Sequence, residues 1–518
     1  MLPSETAEGA ALATPASSRR ARLLAGALYA GLLAFAFIGR AVISSDGAEV
    51  VSVTLGFFIT GRFEAATLPT TDILPVPSLH SHYGLFPSLL PLPFLTAAWP
   101  LRRWLGAAGL DAAVSLTWAL GALLCALAFA RLARVFRRDA SPLWGPAFLV
   151  GTFLWPYAAD SFFDPYSGAL FAFAAELLLG DAEPRTGRFV VAALSWSAAC
   201  WLRPILWVTA PVFFLAGLSR IRARGDSGRL GLALLSGLAA GLGIALTVNW
   251  AYQGSPLHFG YVLSSDLPFR SPLGHGLFGL TLGPGRSLLL FAPLVVPAVF
   301  AWRRLTTAAR ILAFGMPCVL ALVIARWFVW SGGSCWGPRY LLAALPVLAA
   351  PAVLAPRALR RGAVVVGAAL NLSGVLVAPG AFILYAESLS PPAGAVWPVH
   401  GPDRVSDVAS LTPLYGHPWL LASVLGRGFL PAPWLAQGAR ETMQRPGLRD
   451  FLSPLLLRSA LGLPPVPPLT PKLLSRTALA YAIRGSPREA RQFAGEALVL
   501  DPLDEQARNV LRTIPKGN

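Results

Sequence analysis

RTGRFVVAALSWSAACWLRPILWVTAPVFFLAGLSRIRAR, residues 185–224, decides the fold of this chain. It opens on Arg185 and Arg188, closes on Arg220, Arg222 and Arg224, and is apolar between them except at Arg203-Pro204. The apolar run 189–219 is too long for one passage through a bilayer core of about 30 Å. Proline lacks a backbone N–H and clashes with the preceding helical turn, so Pro204 ends a first helix and opens a second. Two short helices therefore meet at Arg203, and the far ends of both carry arginine clusters. Cytoplasmic loops collect such charge, so both far ends lie inside and Arg203 lies outside.

The same rule orders the rest of the chain. Arginine clusters recur at 19–22, 131–138, 185–188, 220–229, 303–310 and 357–361. Apolar runs near 22–43, 110–130, 142–159, 164–180, 189–202, 204–219, 230–250, 286–302, 311–329, 340–356 and 362–384 alternate with them, which predicts about eleven crossings. The N-terminus is then inside and the region after 385 outside. Residues 83–100 (YGLFPSLLPLPFLTAAWP) are apolar and proline-rich. A crossing there would invert every later cluster, so they are expected along the outer interface. The fold class expected is an all-α polytopic membrane protein.

Composition agrees. Hydrophobic residues are 55% and charged residues 13% of the 518, about half the charge of an average soluble domain. The net charge of +17 sits mostly in the inner turns, so it does not indicate a nucleic-acid partner. Arginine outnumbers lysine 40 to 2, which has the look of genome base composition. Cys125, Cys200, Cys318 and Cys335 are scattered, three of them in apolar spans, which supports neither a disulfide framework nor a metal knuckle. Residues 1–21 are read as a disordered cytoplasmic N-terminal segment, and the first apolar run as a retained helix, since no small-residue cleavage site follows it.

Acidic groups gather in the outer loops. Asp46-Gly47-Ala48-Glu49 follows the first span, with an amphipathic helix continuing over 50–59. A carboxylate at the mouth of a helix bundle is costly unless hydrated or paired, which marks it as functional; capping of the next helix is the plainer role. In the second outer loop, Asp160-Ser161-Phe162-Phe163-Asp164-Pro165-Tyr166 sets two carboxylates among aromatics. Asp164-Pro165 is a normal helix start, and an interfacial aromatic belt would account for the rings.

These residues resemble a family. A first span, an acidic juxtamembrane helix, a proline-rich interfacial helix and a later span opened by Asp-Pro is the layout of GT-C glycosyltransferases. The resemblance is to the branch of protein O-mannosyltransferases and aminoarabinose transferases (glycosyltransferase family 39-like), and it covers roughly residues 20–385. It implies that Asp46 in SSDGAEV is the catalytic base and that Asp164 in FFDPYSG belongs to the site. It also implies a polyprenyl-phosphate-linked sugar donor, no cofactor, and a site on the outer face of the plasma (inner) membrane. Many relatives carry adjacent Asp-Glu; here Gly47 intervenes and the acid falls at Glu49, so the work is shared between Asp46 and Glu49 in a way the resemblance leaves open.

The chemistry asks for the same groups. Sugar transfer with inversion from a lipid phosphate needs a carboxylate to deprotonate the acceptor hydroxyl and cations to hold the departing phosphate. Arginine suits that phosphate because its fork donates two aligned hydrogen bonds. Arg339 in the Trp336-Gly337-Pro338-Arg339-Tyr340 string is the first candidate, a string similar to a segment common in bacterial members of the group; Arg203 and Arg270 follow. Arg286 and Arg326 are also outward-facing, and each arginine could instead snorkel to the headgroups. Asp160, Tyr166, His82, Tyr83, Tyr261, Trp336 and Tyr340 are expected to line the substrate pocket, with 251–285 as a covering loop. His80 and His82 show no third ligand, so no metal is assigned.

Residues 386–471 form a Pro/Gly-rich outer region. Residues 472–514 resemble one tetratricopeptide unit, through Gly485-x-x-x-Glu489-Ala490 and Ala497-Leu498-x-Leu500-Asp501-Pro502. One repeat is not a stable array, so it is expected to pack on the membrane domain or on a protein partner. Beside the transferase stand two other classes: a transporter or flippase of lipid-linked glycans, and a non-catalytic scaffold. The chain shows no internal repeat of the kind transporters use, and a scaffold has no need of Asp46, Asp164 and outer arginines. The sugar, and whether the acceptor is a glycolipid, a polysaccharide or a protein, are not legible.

Overall fold

The computed structural model describes residues 15–38, 45–64, 80–81, 83–158, 160–180, 185–223, 227–257, 269, 271–327, 330–332, 335–376 and 469–514. The expected site residues His82, Tyr261 and Arg270 lie outside them, as does the Pro/Gly-rich stretch up to 468.

The described elements are helical: α1 (Pro15–Ile38), α2 (Ser45–Thr60), α3 (Leu92–Ala98), α4 (Arg102–Phe136), α5 (Trp144–Val150), α6 (Asp164–Leu179), α7 (Thr186–Leu202), α8 (Ala210–Arg222), α9 (Ser227–Gln253), α10 (Leu273–Thr281), α11 (Leu288–Phe291), α12 (Val295–Phe300), α13 (Thr307–Arg310), α14 (Met316–Arg326), α15 (Leu345–Ala349), α16 (Arg357–Leu376), α17 (Leu469–Ile483), α18 (Pro487–Leu500) and α19 (Glu505–Thr513). Helical stretches at Phe86–Phe136, Pro204–Arg222, Gly228–Gln253 and Thr307–Arg326 are long and apolar enough to cross a membrane. This is an all-α membrane protein.

The break at Arg203-Pro204 is where the sequence puts it. Arg203 is extended (φ −139°, ψ 93°) between the end of α7 and a 3-10 turn over Pro204–Thr209. Residues 83–100 fold as short pieces, the 3-10 turn Phe86–Leu89 and α3, which passes through the 3-10 turn Trp99–Leu101 into α4; the non-helical Gly106 kinks α4 near its start. Three expected spans are interrupted by non-helical residues. The run 142–159 gives only α5 and a 3-10 turn at Pro156–Ala158; 286–302 splits into α11 and α12; 340–356 splits into α15 and flanking 3-10 turns. Prolines at 293, 297, 346 and 351 remove backbone donors there, and hydropathy alone does not register that loss.

The core is built on α4, α6, α7 and α9. On α6, Gly168, Phe171, Ala175 and Leu178 repeat at helical spacing and are buried. A Cβ at Gly168 would lie 3.2 Å from the Leu342 carbonyl, so the small residue lets α6 meet the segment that carries Arg339. Trp196 on α7 stacks between Phe171 and Phe213.

The C-terminal helices α17–α19 pack on one another and then on α2 and α4. Leu473, Leu474 and Phe493 share one apolar cluster with Val50, Val51, Leu55 and Trp99. Arg102 grips Glu496 with two hydrogen bonds of 2.9 and 3.0 Å, and the Asp111 carboxylate accepts from both the backbone and the hydroxyl of Thr470. Both anchors are near the start of α4, opposite the arginine cluster at its end. The C-terminal unit thus sits at the end of the bundle that the charge pattern assigns to the outside. In a background lacking native thiols, Ser486→Cys should be labelled by an impermeant maleimide from the outer side, and Ser141→Cys only after permeabilisation. The opposite pattern would reverse the orientation derived from the arginines.

Candidate functional site

Three segments converge at one end of the bundle: the first turn of α2, the link 160–164, and the turn Arg339–Leu341. The α2 helix opens with Asp46 in its first turn, where a negative charge complements the helix dipole. It approaches the 160–164 link more closely than any side chain at position 47 would permit. A Cβ on Gly47 would lie 2.2 Å from Ser161 Oγ and 2.4 Å from the Ser161 carbonyl oxygen. That contact leaves room for glycine alone at position 47. Gly47→Ala should push α2 off the link at about 1–3 kcal/mol, lowering the unfolding temperature in calorimetry and displacing Asp46.

Asp46 does not stand alone. Its Oδ2 accepts a 2.8 Å hydrogen bond from Arg339 Nη1, a contact that closes 293 residues of chain. Arg203 holds Asp164 in a two-pronged pair, Nε to Oδ1 at 2.8 Å and Nη2 to Oδ2 at 2.6 Å. All four side chains are at least nine-tenths buried. Aromatic rings fix both cations. The Arg339 guanidinium lies 4.4 Å from the Phe162 ring and Arg203 4.8 Å from the Phe163 ring, and Tyr340 is shared, 4.9 and 5.2 Å from the two. Arg339 Nη2 also donates to the Tyr340 hydroxyl at 3.3 Å.

The two pairs differ in what they leave over. Arg203 and Asp164 match fork to fork, which uses both carboxylate oxygens. Arg339 meets Asp46 through one nitrogen, and its buried Nε has no hydrogen-bond partner among the described residues. A buried donor without a partner costs about 1–3 kcal/mol, so Arg339 has capacity for an anion that Arg203 has already committed.

Asp160 is the third carboxyl. It is buried, and its Oδ1 accepts the Ser161 backbone N–H at 2.7 Å. The link at 160–163 is not helical, so Asp160 and Asp164 do not share a face as a helical turn would have placed them. Burial raises the Asp160 pKa to about 8, against the lowering effect of that N–H and of Arg339. A carboxyl whose folded pKa exceeds its unfolded one stabilises most below the unfolded value. The contribution is lost as pH climbs from about 4 to about 8, because the folded state then holds a proton the unfolded chain has released. Asp160→Asn keeps the acceptor oxygen for Ser161, so it should flatten the fall in unfolding temperature over that window; an unchanged slope would place the loss elsewhere.

The other expected residues are dispersed. Glu49 Oε1 accepts the Ser81 hydroxyl at 2.6 Å, and Ser81 is held in turn by the Tyr252 hydroxyl and Gln253 on α9. Tyr83 is buried edge-on to Phe163. Tyr166 donates to the Thr117 carbonyl, facing α4. Trp336 is 1% exposed, and its indole donates to Asn371 while its carbonyl accepts from Tyr157, so it anchors the loop from beneath. Arg286 is buried under the same loop and donates to the Cys335 carbonyl, whereas Arg326 caps the Phe269 carbonyl. Sequence reading missed Ser81 as the partner of Glu49 and Gly47 as the close contact. The HSHY string contained the first, and the substitution in the acidic motif was the signal for the second.

No protein-family model matches this chain, and no curated protein does. Two crystal structures of ArnT from Cupriavidus metallidurans are similar to it at 15% identity. The apo structure gives a TM-score of 0.47 over 95% of this chain and 78% of that one; the structure bound to undecaprenyl phosphate gives 0.48 over 95% and 87%.

Proposed function

We propose that this chain is a GT-C-type membrane glycosyltransferase. It would move a sugar from a polyprenyl-phosphate carrier to an acceptor hydroxyl at the extracytoplasmic face of the plasma membrane. The supporting observation is the one-pronged Asp46–Arg339 pair, a carboxylate and a guanidinium that hold each other at one end of an apolar bundle. A buried ion pair seldom adds stability over an apolar pair, so its retention fits a role in chemistry. The arriving donor phosphate takes Arg339 Nη1 and Nε, which releases the Asp46 carboxylate. Asp46 then accepts the proton of the acceptor hydroxyl as its oxygen bonds to the sugar C1. The C1–O bond to phosphate breaks, and its electron pair remains on the phosphate oxygen beside Arg339. Asp164 and Arg203 keep Tyr340 and Phe163 in place beneath the reacting groups.

The test is donor turnover in proteoliposomes. Purified protein is given a panel of polyprenyl-phosphate-linked sugars, and release of the polyprenyl phosphate is followed by mass spectrometry with glycolipid, polysaccharide and protein acceptors. At least one donor should be bound and consumed. Neither binding nor consumption across the panel would remove the assignment.

A further inference from the structure

A second site lies at the opposite end of the bundle. A cavity of about 790 Å³ opens between α1, α4, α6 and α7. Its walls are apolar, formed by residues such as Leu124, Leu127, Leu170 and Phe173, and one end is rimmed by Arg22, Arg131 and Arg134. Helix α1 runs outward and α4 inward, which brings Arg22 near the start of one beside Arg131 and Arg134 near the end of the other.

The three arginines are not equivalent. Arg131 directs Nε and Nη2 to Glu176 Oε1 at 3.2 and 2.8 Å. Among the described residues neither Arg22 nor Arg134 has a carboxylate partner, and Arg134 makes only a long 3.5 Å contact to the Ala140 carbonyl. An apolar shaft ending in two uncompensated guanidiniums is complementary to an anionic headgroup with acyl chains. Basic pockets between helices on the cytoplasmic side bind such lipids.

Distance decides against the sugar carrier as occupant. Tyr166 lines the far end of the cavity and bonds to the Thr117 carbonyl, next to Asp164. Arg134 lies 17 residues further along α4, roughly 26 Å at 1.5 Å per residue. A carrier phosphate at Arg339 could send only neutral hydrocarbon toward Arg22 and Arg134. We infer that this cavity holds an anionic phospholipid of the cytoplasmic leaflet, its phosphate on Arg22 and Arg134 and its acyl chains along α4 and α6.

The protein would be assembled in nanodiscs of phosphatidylcholine with a minor share of phosphatidylglycerol, then delipidated stepwise, and the retained lipid read by mass spectrometry. Wild type should retain phosphatidylglycerol over phosphatidylcholine by roughly 30-fold, the product of two arginine contacts worth about fivefold each. Arg22→Gln with Arg134→Gln should lose that preference while keeping the unfolding temperature measured in pure phosphatidylcholine; Arg131 is left intact to keep Glu176 paired. Equal retention by both proteins overturns the proposal. Displacement of the retained lipid by sugar-free polyprenyl phosphate also overturns it, and would assign the groove to the carrier tail. Neither readout uses sugar transfer, so failure here leaves the transferase assignment untouched.

Discussion

Asp46→Asn is expected to lower sugar transfer by about 10²–10⁴-fold, the contribution of a positioned general base, while donor binding stays at or above the wild-type level. The amide oxygen can still accept from Arg339 Nη1, so the mouth of the bundle keeps its packing. It cannot take a proton from an acceptor hydroxyl. It also competes less well than a carboxylate for the guanidinium, which favours the incoming phosphate. A helix-capping role predicts something different, a loss of about 1 kcal/mol of stability with turnover preserved. Single-turnover measurement with bound donor separates the two. Near-normal transfer would return Asp46 to a structural role and move attention to Glu49, which is tied to Ser81.

Arg339→Lys is expected to fail at the other step. A hydrogen bond to a charged group is worth about 1.5–3 kcal/mol, so losing one prong of the fork should weaken donor binding by roughly 10- to 150-fold. Lysine still supplies a charge for Asp46, so the fold survives. It offers one point of contact where the phosphate needs two. Arg339→Ala should bind donor more weakly still and take from Asp46 its Arg339 partner. If both variants bind donor like wild type, Arg339 serves only to brace Asp46.

Much of the fold was legible from charge and helix breakers. The pair α7 and α8 meeting at Arg203-Pro204 followed from two arginine clusters and one proline, both local signals. The start of α6 at Asp164-Pro165 was equally local. Expected spans at 286–302 and 340–356 proved discontinuous, because mean hydropathy does not count missing backbone donors. The site was legible as a set of residues and not as a set of partners. Arg203 could be named as an outer cation, but nothing in its neighbourhood announced Asp164, 39 residues earlier, as its carboxylate. The Asp46–Arg339 contact is longer in range still, and it depends on the packing of glycines at 47 and 168. Tyr340, shared by both arginines, lay beside Arg339 in the sequence, yet its link to Arg203 exists only in three dimensions.

The order of the paired groups along the chain has a consequence for biosynthesis. Asp46 and Asp164 leave the ribosome before Arg339 and Arg203, the cations that will neutralise them. In the topology that the arginine clusters predict, each arginine must pass through the translocation machinery with a charge that costs about 2.5–3.5 kcal/mol at the centre of an inserting helix. On arrival it finds a carboxylate already exported and waiting. The pairs thus act as latches that make export of the later segments harder to reverse. Arg203 closes the first latch soon after α7 emerges, and Arg339 closes the second only when most of the membrane domain has been made. A polypeptide halted between them would carry the Arg203–Asp164 pair without the Asp46–Arg339 pair, a chemical mark by which an unfinished molecule differs from a finished one.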